Sequence, residues 1–506
     1  MKTASIRMAS ILLAALTVLP CAVSCGGNSD GDSPAVTDNI PGTNTVEDSA
    51  AVEAADPDDR TQVRDSLPEG LDFDGRVFSI YCGNADLNRM YYAGPDEETG
   101  DVVDDAVYKR NLSVSERLNI SLRSDGISKD WNEVASAILP LVMSGDTTYD
   151  LFMGEQAGIA QLITENCFVN AYSLEHLDFE KPWWNNVYMD EVSIGRDSRY
   201  FLVGDFFLDI LHWTRTVFFN KRLYTDYYDS PDTLYTEVLD GKWTMARMAE
   251  LAKSVYVDMN NDGVTDPGDQ LGYVAYSHNS SVDPFIYGTD IAYTKRDADG
   301  YLTLTMMSDD AVSLAEWLCD FFHQPGSYYG FTSDAELQQA FIDGNVLFLG
   351  KSNLGSAQAL RDMKDDFGIL PYPKFDEEQD GYRSLVHDAT MLGAVSAASA
   401  NLDMAGAVLE ALNAETYRSV THVWYETALK IKYSRDDISS QMIDLIHGSA
   451  TTNFIYAYNY ALNGIGLLYR SLVGKNNADY ASAVAQNEVA AQKKLEELIE
   501  VFRENT

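Results

Sequence analysis

Apolar positions recur with two different periods along the chain, and their alternation predicts an α/β protein. Short runs rich in β-branched and aromatic residues at 76–81, 119–122 and 149–154 are typical of strands. Between these runs, residues 106–118 and 134–141 place apolar side chains on one face of a helix. Strands that alternate with helices favour a largely parallel sheet covered by helices. The first part of the chain is therefore expected to form an α/β lobe.

The same alternation continues beyond residue 200. A helix is expected to follow Thr244, whose hydroxyl can cap it, with Met245 and Met248 on the buried face. Residues 400–506 keep apolar positions at helical spacing, which predicts a helical C-terminal region. No internal repeat is present. The further strands are expected at 201–205, 216–220, 271–276 and 345–350, with a hairpin near 297–300.

The N-terminus has the pattern of an export signal. Lys2 and Arg7 precede an apolar stretch at 11–16, and no charged residue follows until Asp30. Small and polar residues interrupt the apolar stretch, and a membrane-spanning helix needs about 20 predominantly apolar residues. Residues 1–25 are therefore interpreted as a signal peptide.

The end of this segment resembles a bacterial lipobox, in which small residues precede a cysteine that becomes acylated. The matching residues are Ala22-Val23-Ser24-Cys25, although Ala22 stands where the motif usually has Leu. Cys21 is a competing acceptor that directly follows Pro20. Cys25 is the expected lipidation site, and the protein is expected on the outer face of the cell membrane. The alternative is a soluble secretory signal whose cysteines are incidental.

By composition, the residues after the predicted signal peptide fall into two parts, a linker and a globular body. Residues 26–68 are rich in Gly, Ser, Thr, Pro, Asp and Glu and poor in aromatics, so they are expected to form a flexible acidic linker. About 440 residues follow, which exceeds the ~100–200 residues of a typical domain and suits two lobes. A hydrophobic content of 45% indicates a packed globular body.

The charge balance excludes nucleic acid as a partner. The chain has 36 basic and 78 acidic side chains, for a formal net charge of -42. Such a charge repels polyanions and anionic lipid. Cys82, Cys167 and Cys319 are too widely spaced to indicate a disulfide framework, and the seven histidines match no zinc motif.

The most specific chemical motif is an acidic loop at 258–269 that matches an EF-hand calcium loop by position. Gly263 stands at the sixth position, where the sharp turn occurs, but the twelfth position lacks the usual Glu. A structural calcium ion is expected here, and the alternative is a solvated turn. The expected ligands are Asp258, Asn260, Asp262, the carbonyl of Val264, Asp266 and Asp269.

Several segments, in order and over nearly the whole chain from residue 69, together resemble the sugar-type extracellular solute-binding proteins of bacterial ABC importers. Each segment alone is a weak match. They are Asp150-Leu-Phe-Met-Gly154, Lys181-Pro-Trp-Trp184 with Gly204-Asp205, Val217-Phe-Phe-Asn-Lys221, Gly241-Lys-Trp-Thr244, residues 258–272, Phe341-Ile-Asp-Gly-Asn-Val346, Phe367-Gly-Ile-Leu-Pro-Tyr-Pro373, Trp424-Tyr-Glu-Thr427 and Lys432-Tyr-Ser-Arg-Asp436.

The resemblance implies a two-lobed periplasmic-binding-protein-like fold of type II, with ligand held in the cleft between the lobes. Lobe 1 is expected to comprise 69–218 and 386–411, and lobe 2 to comprise 219–385 with the calcium-type loop. Residues 412–506 are expected to pack on the lobes as C-terminal helices.

Sugar sites combine flat apolar faces with carboxylates or amides that bind hydroxyls. Trp183, Trp184 and Trp243 are expected in the core, whereas stacking and packing are equally favoured for Trp213 and Trp424. For Glu155, Gln156 and Asp205 the alternative is a role as helix caps, and His387 is equally expected as a core residue. The candidates at predicted strand ends or crossings are Glu155, Gln156, Asp205, Trp213, His387, Asp388 and Trp424.

The expected function is that of a non-enzymatic, monomeric binding lipoprotein. It would capture an oligosaccharide or similar neutral solute and deliver it to an ABC permease. One alternative is a cell-surface carbohydrate-active enzyme, which needs two paired carboxylates. The other is a binding lipoprotein that serves a sensor or adhesin.

Overall fold

The computed structural model describes residues 59–277, 279–361, 363–425 and 437–504. The predicted signal peptide, both candidate acylation sites, most of the predicted linker and the resembling segment at 432–436 lie outside these residues. No helix among the described residues is long and apolar enough to cross a membrane.

Two sheets dominate the described chain. The strands are β1 (Arg76–Cys82), β2 (Ile120–Gly126), β3 (Leu151–Glu155), β4 (Arg215–Asn220), β5 (Leu271–Tyr276), β6 (Thr294–Arg296), β7 (Leu302–Leu304), β8 (Ser327–Phe331), β9 (Val346–Asn353), β10 (Phe367–Leu370), β11 (Ser384–Leu385), β12 (Met391–Val395) and β13 (Ala450–Thr451).

Helices connect and cover these strands. They are α1 (Ala85–Leu87), α2 (Val102–Leu118), α3 (Val134–Met143), α4 (Gln156–Ile159), α5 (Asn186–Glu191), α6 (Asp209–Trp213), α7 (Lys221–Tyr227), α8 (Pro231–Leu239), α9 (Met245–Ser254), α10 (Asp283–Tyr287), α11 (Asp309–His323), α12 (Asp334–Ile342), α13 (Leu402–Glu415), α14 (Thr421–Val423), α15 (Asp437–Gly448), α16 (Phe454–Ala457), α17 (Leu468–Gly474) and α18 (Tyr480–Glu504).

The first sheet has the order β12-β3-β1-β2, and the second has the order β10-β4-β9-β5-β8. In the first sheet β1 runs parallel to β2 and β3, and β12 returns antiparallel to β3. In the second sheet β5 runs parallel to β8 and β9, whereas β4 runs antiparallel to β9. The N-terminal end of β4 therefore lies at the same edge as the carboxyl ends of β5 and β9.

The chain crosses between the two sheets at adjacent points. Thr214, directly before β4, forms a bridge with Val386, which precedes β12. The amide of His387 donates to the carbonyl of Trp213 at 3.0 Å. The predicted lobe boundary at 218 falls inside β4, whose partners β9 and β10 both belong to the second sheet. The boundaries at 385 and 411 stay predictions.

Most sequence patterns that predict elements are confirmed. The strands expected at 76–81, 149–154, 216–220 and 271–276 correspond to β1, β3, β4 and β5, and the hairpin near 297–300 joins β6 to β7. The side chain of Thr244 accepts from the amide of Arg247 and caps α9, as expected.

The prediction of a strand at 201–205 is wrong. Leu202 exchanges two backbone hydrogen bonds with Gly393, and Gly204 forms a single bridge with Trp184. The chain then turns, because the amide of Phe207 bonds to the carbonyl of Gly204 at 2.9 Å. The apolar run is buried, but it forms isolated bridges and no continuous ladder.

The prediction of a flexible linker is also wrong for the last of its residues, 59–68, which pack on the body. Asp65 accepts two hydrogen bonds of 2.7 Å from Arg117, and Arg418 lies 3.5 Å away. Leu67 is 8% exposed, and the guanidinium of Arg60 lies over the ring of Tyr417. Local composition is polar here, but ion pairs with distant helices hold the segment in place.

Candidate functional site

Two carboxylates, Glu155 and Asp388, occupy the edge of the first sheet that faces the crossing segments. Glu155 is the last residue of β3, and Asp388 comes just before β12. Backbone bonds hold the two segments together: the amide of Gln156 donates to Thr390 and that of Ala157 donates to Asp388. Carboxyl ends of strands in open α/β sheets are where ligands usually bind.

Burial dominates the ionisation of these acids. Burial, together with the negative charges of Asp388 and Asp209, raises the pKa of Glu155 to about 7. Burial also raises the pKa of Asp388, against the opposing positive charges of Arg470 and Arg215. A half-protonated Glu155 can both donate a hydrogen bond and accept one from a hydroxyl group.

Aromatic rings flank the two acids. Trp213, the last residue of α6, stacks on His387 with 5.5 Å between ring centroids and 30° between planes. Its indole nitrogen is buried and has no hydrogen-bond partner among the described residues. His387 itself is held locally, because its Nδ1 accepts from the amide of Ala389. Trp213 and His387, both chosen from the sequence, therefore lie together beside Asp388.

A second aromatic pair is more exposed. Trp131 and Tyr460 stack with 4.6 Å between centroids and 25° between planes, and they are 36% and 45% exposed. Burial and the negative charge of Asp388 raise the pKa of Tyr460, and the charge of Asp130, next to Trp131, helps to raise the pKa of Glu155. The backbone of Trp131 packs against Gly158, three residues after Glu155, so the pair lies near the end of β3. It offers the stacking surface that a sugar ring needs.

Sequence reasoning missed the basic side of the site. Arg215, the first residue of β4, is fully buried, and its Nη1 donates to the carbonyl of Lys351. Asp283 and Arg470 form a bidentate ion pair with distances of 2.8 and 2.5 Å. A lone arginine beside the apolar strand 216–220 was a signal for Arg215, but nothing local links residues 283 and 470.

Gln156 lies beside the acids but is part of the core. Its side chain is fully buried, and its Oε1 accepts from the hydroxyls of Tyr188 and Thr452. Its Nε2 has no partner among the described residues.

Asp205 and Trp424 are buried and contact other side chains of the protein. Asp205 accepts from Thr421 at 2.9 Å, and burial raises its pKa to about 7 while Arg60 opposes the shift. Trp424 is 6% exposed and lies against Tyr91. Asp205 is thus held by a C-terminal helix, and Trp424 by a residue near the start of the described chain. The local sequence pattern reveals neither contact.

The loop at 258–269 folds back on its own side chains. Asp258, at the first position, accepts from the amide of Gly263 at the sixth, and Asp269 accepts from the amides of Met259 and Asp266. No three carboxylates of this loop lie within 4.8 Å of one another in this conformation. Ion binding would therefore require the side chains to turn inward.

One group of three metal-binding side chains does meet within 4.8 Å among the described residues. It consists of Glu175, His176 and Asp403 on the surface, and Nε2 of His176 lies 2.8 Å from Asp403. Exposed groups of this kind are common without an ion.

Solved structures match the chain, although no family model and no curated protein does. The maltose/maltodextrin-binding domain MalE of Bdellovibrio bacteriovorus, bound to maltotriose, has a TM-score of 0.51 and 14% identity, over 83% of this chain and 100% of its own. A cyclo/maltodextrin-binding protein complexed with maltotetraose has a TM-score of 0.53 and 13% identity, over 85% and 97%.

A third match is the galacto-N-biose/lacto-N-biose I-binding protein of the ABC transporter from Bifidobacterium longum. Its TM-score is 0.53 at 12% identity, over 85% of this chain and 99% of its own. The chain has the two-lobed α/β fold of these binding proteins. The predicted fold class is thus confirmed, and each of the three neighbours is described as binding a sugar.

Proposed function

We propose that this chain is the substrate-binding component of an ABC importer and that it captures an oligosaccharide between its two sheets. The observation that carries the proposal is the meeting of Glu155, Asp388 and two stacked aromatic pairs at the point where the chain crosses between the sheets. Carboxylates that bind hydroxyls and rings that stack on sugar faces are the two parts of a carbohydrate site.

Binding without catalysis is the part of the proposal that the neighbours support. All three are named for the sugars they bind, and one is named as part of an ABC transporter. In a two-lobed protein, a ligand that contacts both sides of the cleft favours the closed state. A permease that recognises the closed state would then receive the loaded protein.

The N-terminal features complete the proposal. The signal pattern at 1–25 and acylation at Cys25 would hold the protein on the outer face of the membrane, next to its permease. The acidic residues that follow would serve as a tether, and the body would act as a monomer.

Calcium at 258–269 is a separate proposal. It is supported by the order of oxygen-bearing residues along the loop and by the bond from the amide of Gly263 to Asp258, which closes the turn. The ion would stabilise the loop and would take no part in ligand capture.

A thermal-shift screen against neutral and acidic oligosaccharides tests the main proposal. A ligand that binds only the folded state raises the melting temperature. We expect Trp131→Ala to abolish that rise while leaving the ligand-free melting temperature unchanged, because Trp131 is 36% exposed. If no oligosaccharide stabilises the wild-type protein, the proposed function is wrong.

A further inference from the structure

Two arginines near the proposed site, Arg470 and Arg215, differ in what binds the edge of the guanidinium group formed by Nε and Nη2. Arg470 donates from Nε and Nη2 to the two carboxylate oxygens of Asp283. Arg215 donates only from Nη1, at 3.2 Å to the carbonyl of Lys351. Its Nε and Nη2 are buried and have no hydrogen-bond partner among the described residues. We call the pair of N–H groups on Nε and Nη2 the fork. Asp283 binds the fork of Arg470, whereas the fork of Arg215 has no acceptor among the described residues.

The acids around Arg215 do not fill its fork. Its positive charge acts on Asp283 and Asp388, so both carboxylates are near, but neither forms a hydrogen bond to it. Asp283 is fully engaged by Arg470, and Asp388 interacts with Tyr456. Two buried N–H groups without acceptors are costly, because they have lost their hydrogen bonds to water without gaining others in the protein.

The position of Arg215 connects the fork to the proposed site. Arg215 begins β4, at the edge where β5 and β9 end, and it follows Trp213 by two residues. The neighbouring Thr214 bridges Val386, which is two residues before Asp388. The fork therefore belongs to the same crossing region as Trp213 and Asp388.

We propose that the ligand carries a carboxylate that binds Nε and Nη2 of Arg215, so that the protein captures an acidic oligosaccharide containing a uronic acid. This inference rests on the proposed function and replaces the expected neutral solute with an acidic one. A planar carboxylate matches the two parallel N–H groups of a guanidinium edge, as the Asp283–Arg470 pair in the same protein illustrates. Hydroxyls of a neutral sugar could also accept from the two N–H groups, but only a carboxylate would give both of them charge-assisted hydrogen bonds.

Entry of such a ligand requires the protein to open. Arg215 is 0% exposed in this conformation. The two-lobed fold closes and opens by movement at its crossing segments, and Arg215 lies directly after one of them. A carboxylate would reach the fork in the open state and would be enclosed on closure.

The test uses pairs of ligands that differ only in the carboxylate. Partial hydrolysates of pectin, glucuronoxylan and glycosaminoglycans are offered to the full chain before and after chemical reduction of their carboxyl groups, with starch and cellulose fragments as neutral members. Bound species are identified by mass spectrometry, and their affinities are measured by calorimetry. We expect a uronate-containing fragment to bind at least about ten-fold more tightly than its reduced form.

Variants of the arginine identify the residue responsible. Arg215→Gln is expected to remove the preference for the acidic form, and Arg215→Lys to retain only part of it because Lys lacks the fork. Arg222→Gln is the matched control, since Arg222 follows the other end of β4 and its side chain is 47% exposed. Because two N–H groups of Arg215 have no partner among the described residues, we expect Arg215→Gln to leave the melting temperature of the ligand-free protein close to that of the wild type. That measurement tests whether the variant is folded.

The outcomes separate the two proposals. Equal affinity for acidic and reduced fragments, or selection of neutral or only sulfated sugars, overturns the carboxylate inference and leaves the proposed function intact. Retention of the acidic preference in folded Arg215→Gln overturns the role of Arg215. If none of the fragments binds, the carboxylate inference and the proposed function are both wrong.

Discussion

The indole ring of Trp213 stacks on the imidazole ring of His387, with 5.5 Å between their centroids. The two residues belong to different crossings between the sheets, because Trp213 precedes β4 and His387 precedes β12. Backbone contact reinforces the side-chain contact, since the amide of His387 donates to the carbonyl of Trp213. If the two sheets move relative to each other, the crossing segments that carry this pair must bend.

Trp213→Ala should weaken oligosaccharide binding by about ten-fold, or about 1.4 kcal/mol. The substitution removes an aromatic face and a buried indole N–H that has no partner among the described residues. Calorimetry on wild type and variant measures the change. Tyr227→Ala is the control, because Tyr227 is 42% exposed on α7. Unchanged affinity in a folded Trp213→Ala protein would remove Trp213 from the site.

Calcium should raise the melting temperature by several degrees relative to EGTA, as expected when an ion binds only the folded state. Asp258→Asn should abolish the rise, because Asp258 holds the turn through the amides of Asn261 and Gly263. Asp297→Asn is a suitable control, since Asp297 orders a similar polar turn between β6 and β7. The same melting temperature in millimolar calcium and in EGTA would exclude a structural ion.

Glu155→Gln should make the protein more stable at high pH. Burial raises the pKa of Glu155 in the folded state from 4.5 to about 7. The folded state therefore binds the proton more tightly than the unfolded state, and stability falls as pH rises between these two values. The amide of Gln stays neutral, so the variant avoids this loss of stability. We expect a gain of about 2 kcal/mol at high pH after allowing for partial exposure.

Urea unfolding at about pH 4 and about pH 8 measures this effect, since the two values lie on either side of the window. The difference between Glu155→Gln and wild type should appear at the higher pH and nearly vanish at the lower. Glu165→Gln is the control, because Glu165 is exposed in the same part of the chain. An equal effect of Glu155→Gln at both pH values would contradict the raised pKa.

Asp283→Asn should destabilise the protein by about 3–5 kcal/mol, since it leaves the buried charge of Arg470 without its partner. Asp283 is fully buried, and the side chain of Arg470 is 11% exposed. Chemical denaturation measures the loss. Asp334→Asn breaks the pair with Lys351 in which Asp334 is 60% exposed, and it should cost less than about 1 kcal/mol. Similar losses in both variants would argue against a special role for the buried pair.

Local patterns were sufficient for elements whose signal lies within the element. The apolar runs that became β1, β3, β4 and β5 are short and continuous, and Thr244 caps α9 through a bond to a residue three positions away. The run at 201–205 has the same local pattern, yet it forms only bridges, because its ladder partners are set by where other segments lie.

The sequence by itself determined the α/β alternation, the buried tryptophans Trp183 and Trp243, and the placement of Glu155 at a strand end. Tertiary structure alone decided that Asp205 belongs with Thr421, and that Arg470 occupies Asp283 while the fork of Arg215 stays unfilled. The physical reason is range. Periodicity and capping act over a few residues, whereas the Asp283–Arg470 pair joins positions 187 residues apart and depends on how the whole chain packs.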